Sequence, residues 1–247
     1  MNGAEGMNPE GVFQSGEERS VPQALEASVM RILDADGNTA GAGFLVAGRL
    51  AVTCAHVVEA AGSGPGQPVS VCFHRAGQPQ TTRVLAEGWS PCPRGQVPSG
   101  DDVAFLELDM CKGQPVALGF SAQSGGHDFL ALGYPEGGSV AERWAQGQVG
   151  GLVQVPGYAQ PLLQIQGEEV DRGLSGGPVL DCESDRVVGM VTGYEDVARR
   201  PPAPALRIAY ATAAETLQRL RPALRLLPPG YDPACLEAYR RGVLERT

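Results

Sequence analysis

The sequence predicts an all-β globular protein in which many short strands are joined by tight turns. Short apolar runs recur along the chain, for example GFLVAGRL at 43–50, VAFLEL at 103–108 and RVVGMVT at 186–192. Turn-forming residues separate them, since 34 glycines and 20 prolines make up about 22% of the 247 residues. Hydrophobic residues are 43% of the chain, which is enough for a core at this length. Regular short strands separated by turns are typical of a β-sandwich or a β-barrel.

The apolar runs give the strands in chain order. A short stretch at 24–33 leads into the first strand, and residues 41–60 are expected to form two strands followed by a short helical turn from Ala55. Gly and Pro mark the bends between the later strands. These are predicted at 69–74, 81–87, 101–109, 128–133, 145–154, 162–166, 178–181, 186–192 and 206–211.

The two ends of the chain differ in composition from its centre. Residues 1–22 are polar and rich in Gly and Glu, which predicts a flexible leader before a main domain at 23–227. That domain should end in a helix at 212–220, where apolar residues recur at helical spacing and Thr212 with Glu215 has the form of a capping box. Residues 228–247 begin with a Pro-Pro-Gly break and then predict a short basic amphipathic helix with apolar residues on one side, namely Leu236, Tyr239, Val243 and Leu244.

Charge and composition exclude several classes of partner. Nineteen Lys and Arg stand against 28 Asp and Glu, a net charge of −9, so a nucleic-acid partner is not expected. No apolar run reaches the roughly 20 residues that span a membrane, and the first residues lack the apolar segment of a secretory signal. We therefore expect a cytoplasmic protein with free thiols at its six cysteines. The three histidines are isolated and no CxxC pair occurs, so neither a metal site nor a cofactor is expected.

Three motifs together carry the chemistry of nucleophilic hydrolysis. TCAHVV at 53–58 contains His56, DDVAFLEL at 101–108 contains Asp102, and GLSGGP at 173–178 contains Ser175. A serine hydroxyl is a weak nucleophile until an imidazole accepts its proton, and an aspartate orients that imidazole. GLSGG also fits the nucleophile elbow of α/β-hydrolases, but that fold needs a histidine after the serine. Every histidine here precedes Ser175, so the elbow is excluded.

On these motifs the chain resembles the trypsin-like serine peptidases of the chymotrypsin fold. TCAH at 53–56, DVAFL at 102–106 and GLSGGP at 173–178 match the family's three motifs in order. The resemblance implies two six-stranded antiparallel β-barrels, at roughly 23–115 and 116–211, with a C-terminal helix. It also implies that His56 is the general base, Asp102 its orienting group and Ser175 the nucleophile, and that the N–H groups of Gly173 and Ser175 form the oxyanion hole.

The departures from the family pattern bear on regulation and specificity. Leu174 stands where secreted members have the aspartate that pairs with a new N-terminus, so that activation route is not available. RIAYATAAETLQRL at 207–220 is similar to the end of HtrA-type peptidase domains. The resemblance places Glu169 at the floor of the P1 pocket, which favours Arg or Lys, and Ile208 on its wall, which favours small aliphatic residues. Its remaining predicted lining is Thr192, Gly193 and Tyr194.

The resemblance also suggests a biological role and two alternatives. Disulfide-free bacterial domains of this type often belong to NTPase-containing signalling proteins, which implies a regulated protease effector in defence or signalling, with a regulatory NTPase or sensor module as partner and a protein or peptide as substrate. The alternatives are an inactive or weak module that binds peptides or partners, and a housekeeping HtrA-like protease. Asp101 is expected to be a neighbour of the triad, Cys54 a core residue, and His74 and His127 loop histidines without a role.

Overall fold

The computed structural model describes residues 21–74, 78–95, 97–110, 113–134, 142–167, 169–170, 173–194 and 207–228. The predicted leader lies outside these residues, except that Val21 and Pro22 belong to the first helix. The predicted C-terminal amphipathic helix also lies outside them. Within the described part of the chain, no helix is long and apolar enough to span a membrane.

The first half of the chain forms a closed antiparallel barrel of six strands. Helix α1 (Val21–Ser28) runs directly into it, and helix α2 (Ala55–Ala60) connects two of its strands. Around the barrel the order is β1-β2-β3-β6-β5-β4. The strands are β1 (Val29–Leu33), β2 (Thr39–Ala47), β3 (Leu50–Thr53), β4 (Pro68–Phe73), β5 (Gln80–Val84) and β6 (Ala104–Leu108).

The second half forms another six-stranded antiparallel barrel, in the order β11-β8-β9-β10-β13-β12 and closed by pairing of β11 with β12. Its strands are β8 (Asp128–Gly133), β9 (Arg143–Val153), β10 (Leu162–Gly167), β11 (Pro178–Asp181), β12 (Arg186–Tyr194) and β13 (Arg207–Ala213). Two short strands, β7 (Leu118–Gly119) and β14 (Leu226–Leu227), extend it in parallel beyond β12. The predicted fold of two antiparallel barrels with a C-terminal helix is thus confirmed.

Burial follows the position of each strand. Strand β9 has two buried residues, Ala145 and Val149, among exposed and partly exposed ones, as expected of a strand with one solvated face. Strand β6 is buried at four of its five residues, and Phe105 is fully buried. One core cluster fills the first barrel and includes Leu217 of helix α3 (Ala214–Leu220), and a second cluster fills the other barrel. Helix α3 is therefore packed against the interior of the molecule.

The predicted capping box at the last helix is wrong. Strand β13 continues through Ala213, which is the N-cap of α3 and makes no side-chain capping bond. The Glu215 carboxylate instead accepts hydrogen bonds from the backbone N–H and the hydroxyl of Ser121, at 2.8 and 2.7 Å. The Thr212 hydroxyl donates to the carbonyl of Asp101. Both side chains that the local pattern assigned to the cap thus make tertiary contacts instead.

Candidate active site

His56 lies at the junction between a barrel strand and a short helix. Strand β3 ends at Thr53, whose hydroxyl donates to the carbonyl of Ala42 at 2.6 Å, and His56 is in the first turn of α2. Cys54 between them is fully buried, and its thiol donates to the Val191 carbonyl at 3.2 Å. This confirms that Cys54 is a core residue. The junction leaves the imidazole about one third exposed, with a side-chain exposure of 32%.

Asp102 is fully buried and directs its carboxylate at His56. Its Oδ1 accepts the backbone N–H of His56 at 2.9 Å, and its Oδ2 lies 2.6 Å from Nδ1 of the same residue. The residue has a φ of +57°, a left-handed conformation that costs a non-glycine residue roughly 1–2 kcal/mol. The backbone of Asp102 is thus held in a strained conformation that brings its carboxylate to the imidazole, as expected of a group that orients it.

Thr192 completes the hydrogen bonding of the buried carboxylate. Its hydroxyl donates to Asp102 Oδ2 at 2.6 Å, and the side chain is 4% exposed. Tyr158, from the loop between β9 and β10, lies beside Thr192, and burial raises the pKa of its phenol. The Thr192 side chain, predicted to line the substrate pocket, therefore serves Asp102. A substrate contact by its backbone stays a prediction.

The environment of His56 raises its pKa. Burial of the imidazole acts to lower it, but the hydrogen bond to Asp102, the neighbouring Cys92 and the charge of Asp102 more than offset that effect. Cys92 is a neighbour that the sequence did not indicate, because it lies in the irregular segment after β5 and belongs to none of the three motifs. The thiol of Cys54, on the other side, has its pKa raised well above its usual range by burial and by the charge of Asp102.

Ser175 stands in a loop that is bonded to both barrels. Its carbonyl accepts the N–H of Ala42 in β2 at 2.9 Å, and the N–H of Gly176 donates to Val191 in β12 at 2.8 Å. Gly176 has a φ of +81°, and a Cβ there would lie 1.9 Å from the Ala42 carbonyl oxygen and 2.7 Å from the Thr53 hydroxyl. Only glycine fits, and this close approach sets the serine against the strand that ends just before His56.

The residue before the serine is stabilised by apolar packing. Leu174 is fully buried in the core cluster of the second barrel, with Phe129 and Val179 among its members. A Cβ on Gly133 of β8 would lie 2.7 Å from the Leu174 Cα, so the loop lies directly on that strand. Gly173, the predicted oxyanion residue, is buried and has a φ of +97°. The loop is therefore anchored here by a side chain that needs no ion pair.

The remaining predicted pocket residues lie on two paired strands and the segment after β10. Tyr194 of β12 pairs with Ala209 of β13, next to Ile208, which is half-buried. A Cβ on Gly193 would meet nothing within 4 Å, so this backbone faces open space. Glu169 is exposed. The roles of these residues in specificity stay predictions.

The other histidines make structural contacts. His74 Nδ1 lies 2.8 Å from the hydroxyl of Tyr134 and 3.2 Å from the carboxylate of Glu142. His127 Nδ1 lies 3.0 Å from Asp181 Oδ2, and its Nε2 lies 3.3 Å from Glu183. Both therefore join loop or strand ends in the described structure, with no part in the geometry around His56.

Among the described residues, one group of side chains has the spacing to hold a metal ion. The hydrogen bond within this group and the protonation of its thiol disfavour metal binding. Cys54, His56 and Asp102 offer one ligand atom each within 4.8 Å of one another. The imidazole and the carboxylate are already joined at 2.6 Å, too close for an ion between them. The raised pKa of Cys54 keeps its sulfur protonated, whereas a metal ligand must be a thiolate.

Comparisons with known proteins agree with the fold. A search of curated proteins gave no significant match. Among solved structures, the fold is similar to Rv3671c of M. tuberculosis H37Rv in the inactive form of an alanine mutant, with TM-score 0.61, 22% identity and coverage of 83% of this chain and 89% of that one. The active form of the Rv3671c protease gives 0.59 at 22% identity, with 85% and 86% covered.

The HtrA-type protease AlgW bound to a tripeptide is also similar, with TM-score 0.58, 18% identity and coverage of 83% of this chain and 64% of that one. The chain thus spans just under two thirds of that protein. The family model described as the trypsin-like peptidase domain matches residues 41–190, more than half of the chain and all three motifs. The protein therefore belongs to the trypsin-like peptidase domain family.

Proposed function

We propose that the protein is a serine endopeptidase that cleaves protein substrates with His56, Asp102 and Ser175. The observation that carries this proposal is the buried Asp102 carboxylate, which accepts hydrogen bonds from the backbone N–H and the ring Nδ1 of His56 and from the Thr192 hydroxyl. A carboxylate so placed fixes the tautomer of the imidazole and stabilises the imidazolium that forms during acyl transfer. The membership in a peptidase family supports the same chemistry.

In this mechanism the Ser175 oxygen attacks the scissile carbonyl carbon while His56 Nε2 accepts the hydroxyl proton. The N–H groups of Gly173 and Ser175 stabilise the resulting oxyanion. When the tetrahedral intermediate collapses, the C–N bond breaks, the amine takes the proton from His56, and the acyl group stays on Ser175. Water then attacks the acyl-enzyme with His56 as base, which releases the carboxylate product and restores the serine.

Hydrolysis of casein and of a peptide mixture, followed by mass spectrometry, tests this proposal. Wild-type protein should generate new termini, and the Ser175→Ala variant should not, because loss of the serine costs on the order of 10⁶ in kcat. Equal cleavage by both proteins would contradict it. Tight peptide binding by wild type without any product would favour the alternative, a peptide-binding module.

For specificity we propose a preference for Arg or Lys at P1, through a charge-assisted bond to Glu169. The open space beside Gly193 supports a side-chain pocket in this region. A positional peptide library with wild type, Glu169→Ala and the control Glu87→Ala, an exposed glutamate elsewhere, measures the preference. A basic preference lost only in Glu169→Ala supports this assignment. An unchanged basic preference, or selection of small aliphatic residues that Ile208→Gly relaxes, contradicts it.

We also propose that the enzyme is a cytoplasmic effector whose activity a sensor or NTPase partner controls. Leu174 supports this, because its apolar anchor replaces the ion pair by which N-terminal cleavage switches on other family members. The free thiols of the described cysteines suit a reducing compartment. The full chain should cleave unfolded proteins slowly until its partner is added. Free cleavage by both the full chain and a chain cut after Leu227 would instead favour a housekeeping protease.

A further inference from the structure

Asp101 is a buried carboxylate beside the triad that the proposed chemistry does not use. Its side chain is 3% exposed, and it directly precedes the strained Asp102. Its backbone is bonded on both sides: its N–H donates to the hydroxyl of Ser90 at 2.7 Å, and its carbonyl accepts the hydroxyl of Thr212 at 3.1 Å. Residues from the first barrel and from β13 thus meet at this one position.

The carboxylate of Asp101 is bonded as completely as its backbone. Oδ1 accepts the N–H of Gln160, in the loop between β9 and β10, at 2.9 Å. Oδ2 accepts a hydrogen bond from the guanidinium of Arg219 on α3. A buried carboxylate needs such donors, because leaving it unpaired is costly. Arg219 itself is half-exposed, with a side-chain exposure of 46%, so only its charged end is committed to the interior.

These contacts bear directly on Asp102. That residue must keep a φ of +57° for its carboxylate to receive both bonds of His56, and its own N–H makes only a long bond to the Pro91 carbonyl at 3.2 Å. Asp101 is therefore the anchor on one side of this residue, and Val103, which exchanges hydrogen bonds with Ser90 at 2.8 and 2.9 Å, is the anchor on the other. If the anchor at Asp101 loosened, the chain would relax toward negative φ and withdraw the carboxylate from the imidazole.

We propose that Asp101 and Arg219 are positioning residues of the triad: their ion pair fixes the backbone at 101–102 so that Asp102 orients His56. The proposal rests on the proposed peptidase function, and it assigns to helix α3, outside both barrels, a part in catalysis. A displacement of about 1 Å in a reacting group can cost on the order of 100-fold in rate, so a contact two residues removed from the imidazole matters.

The test compares kcat and KM on one peptide substrate for wild type, Arg219→Gln, Asp101→Asn and the double variant. Arg219→Lys keeps the charge, and Arg83→Gln removes an exposed arginine of β5 as the matched control. We expect a fall in kcat of about 10- to 100-fold in each single variant with KM nearly unchanged. The double variant should lose no more than either single one, because one ion pair is removed in all three. Lysine should restore part of the rate.

Two further readouts separate positioning from a merely structural role. Thermal unfolding shows that each variant is folded at the assay temperature. The downfield proton resonance of His56 Nδ1–H reports its bond to Asp102 without any turnover, and it should weaken or shift in Arg219→Gln but not in Arg83→Gln. If the wild-type protein neither cleaves peptides nor reacts with a serine probe, the proposed peptidase function is wrong. The His56 resonance alone would then show whether Asp101 and Arg219 position Asp102. An unchanged resonance, or kcat equal to that of Arg83→Gln, overturns the proposal.

Discussion

At the residue scale, the protonation of His56 depends on two side chains from the segment between β5 and β6. Burial acts to lower its pKa, but the hydrogen bond to Asp102 and the neighbouring Cys92 raise it above the ordinary 6.5. A general base works in its neutral form, so the fraction of active enzyme grows as the pH rises through that raised pKa. We expect kcat/KM to rise with pH and to reach half its limit on the alkaline side of 6.5.

Replacing Cys92 should shift that pH profile. Cys92→Ala removes one of the two neighbours that raise the pKa of His56, so the midpoint of kcat/KM should move to lower pH. Cys182→Ala, which removes an exposed thiol, is the control. Peptide hydrolysis measured across the pH range gives both midpoints. Identical midpoints in the two variants would show that Cys92 does not act on the base.

Removing the Thr192 hydroxyl should slow catalysis without weakening substrate binding. A hydrogen bond to a charged group contributes about 1.5–3 kcal/mol, which corresponds to roughly 10- to 100-fold in rate if it acts in the transition state. We expect Thr192→Val to lower kcat by that factor with KM unchanged. The control Thr81→Val, on the exposed side of β5, should leave both kcat and KM unchanged. A rise in KM alone would indicate instead that the Thr192 side chain contacts the substrate.

The sequence motifs identified the bonded pair of His56 and Asp102, but not the residues that support it. Thr192, Cys92 and Arg219 reach the site from a strand, a loop and a helix that the fold brings there, and each lies outside the three motifs. Their own neighbours in sequence give no periodic or spacing signal. The positive φ of Asp102 is likewise set by its bonding partners, so residue type alone could not indicate it.

At the scale of single elements, a His–Asp pair joins the start of β8 to the end of β11. The hydrogen bond that His127 donates to the Asp181 carboxylate raises the pKa of His127 above 6.5. Burial acts to raise the pKa of Asp181, but bonds from His127, Ser124 and the Glu183 N–H keep it below 3.8. The histidine's contribution to stability is complete below pH 6.5 and is lost as pH rises through its raised pKa. The aspartate's contribution is complete above pH 3.8 and is lost as pH falls through its lowered pKa.

The free energy of unfolding should therefore fall between pH 5.5 and pH 8.5 in wild type. Substituting His127→Gln should remove that part of the slope, because glutamine does not titrate. Chemical denaturation at the two pH values measures the change in unfolding free energy within each protein. If wild type and the variant change equally with pH, the pair does not contribute.

The elements that apolar pattern predicted are present, and those set by tertiary contacts were missed. Nine later strands were expected from β4 onward, and each has a counterpart in the structure within a few residues. The two-residue strands β7 and β14 gave no pattern, because two residues are too short for a period. The capping box at Thr212 failed since its hydroxyl bonds to Asp101 and Glu215 bonds to Ser121.

At the scale of the whole molecule, two barrels each supply part of the site, and thiols lie in both. The described cysteines Cys54, Cys72, Cys92 and Cys182 are free. Folding should therefore not depend on oxidation, and activity and melting temperature should be the same with and without reductant. Alkylation under denaturing, non-reducing conditions followed by mass spectrometry should modify all six cysteines of the chain. Fewer than six modified thiols, restored to six by reductant, would reveal a disulfide and contradict a cytoplasmic origin.

The number of barrels could not be derived from strand patterns. Alternation and turns indicated a sandwich or a barrel, whereas closure at six strands depends on which edges pair, such as β1 with β4 and β11 with β8. Those pairings join residues that are distant in sequence, so only the resemblance in the three motifs implied them. The fold then brings the His56 strand and the Ser175 loop together through the bond from Ala42.

Covalent labelling of Ser175 by a fluorophosphonate tests the central claim most directly, because only a serine activated by a neighbouring base reacts quickly with such a probe. Peptide mapping of the labelled protein should find the phosphonyl group on Ser175 and on no other serine. Labelling should be lost in Ser175→Ala and His56→Ala, both still folded by circular dichroism, and it should be slower in Asp102→Ala. Absence of labelling in folded wild type, or equal labelling of wild type and His56→Ala, would contradict a working triad.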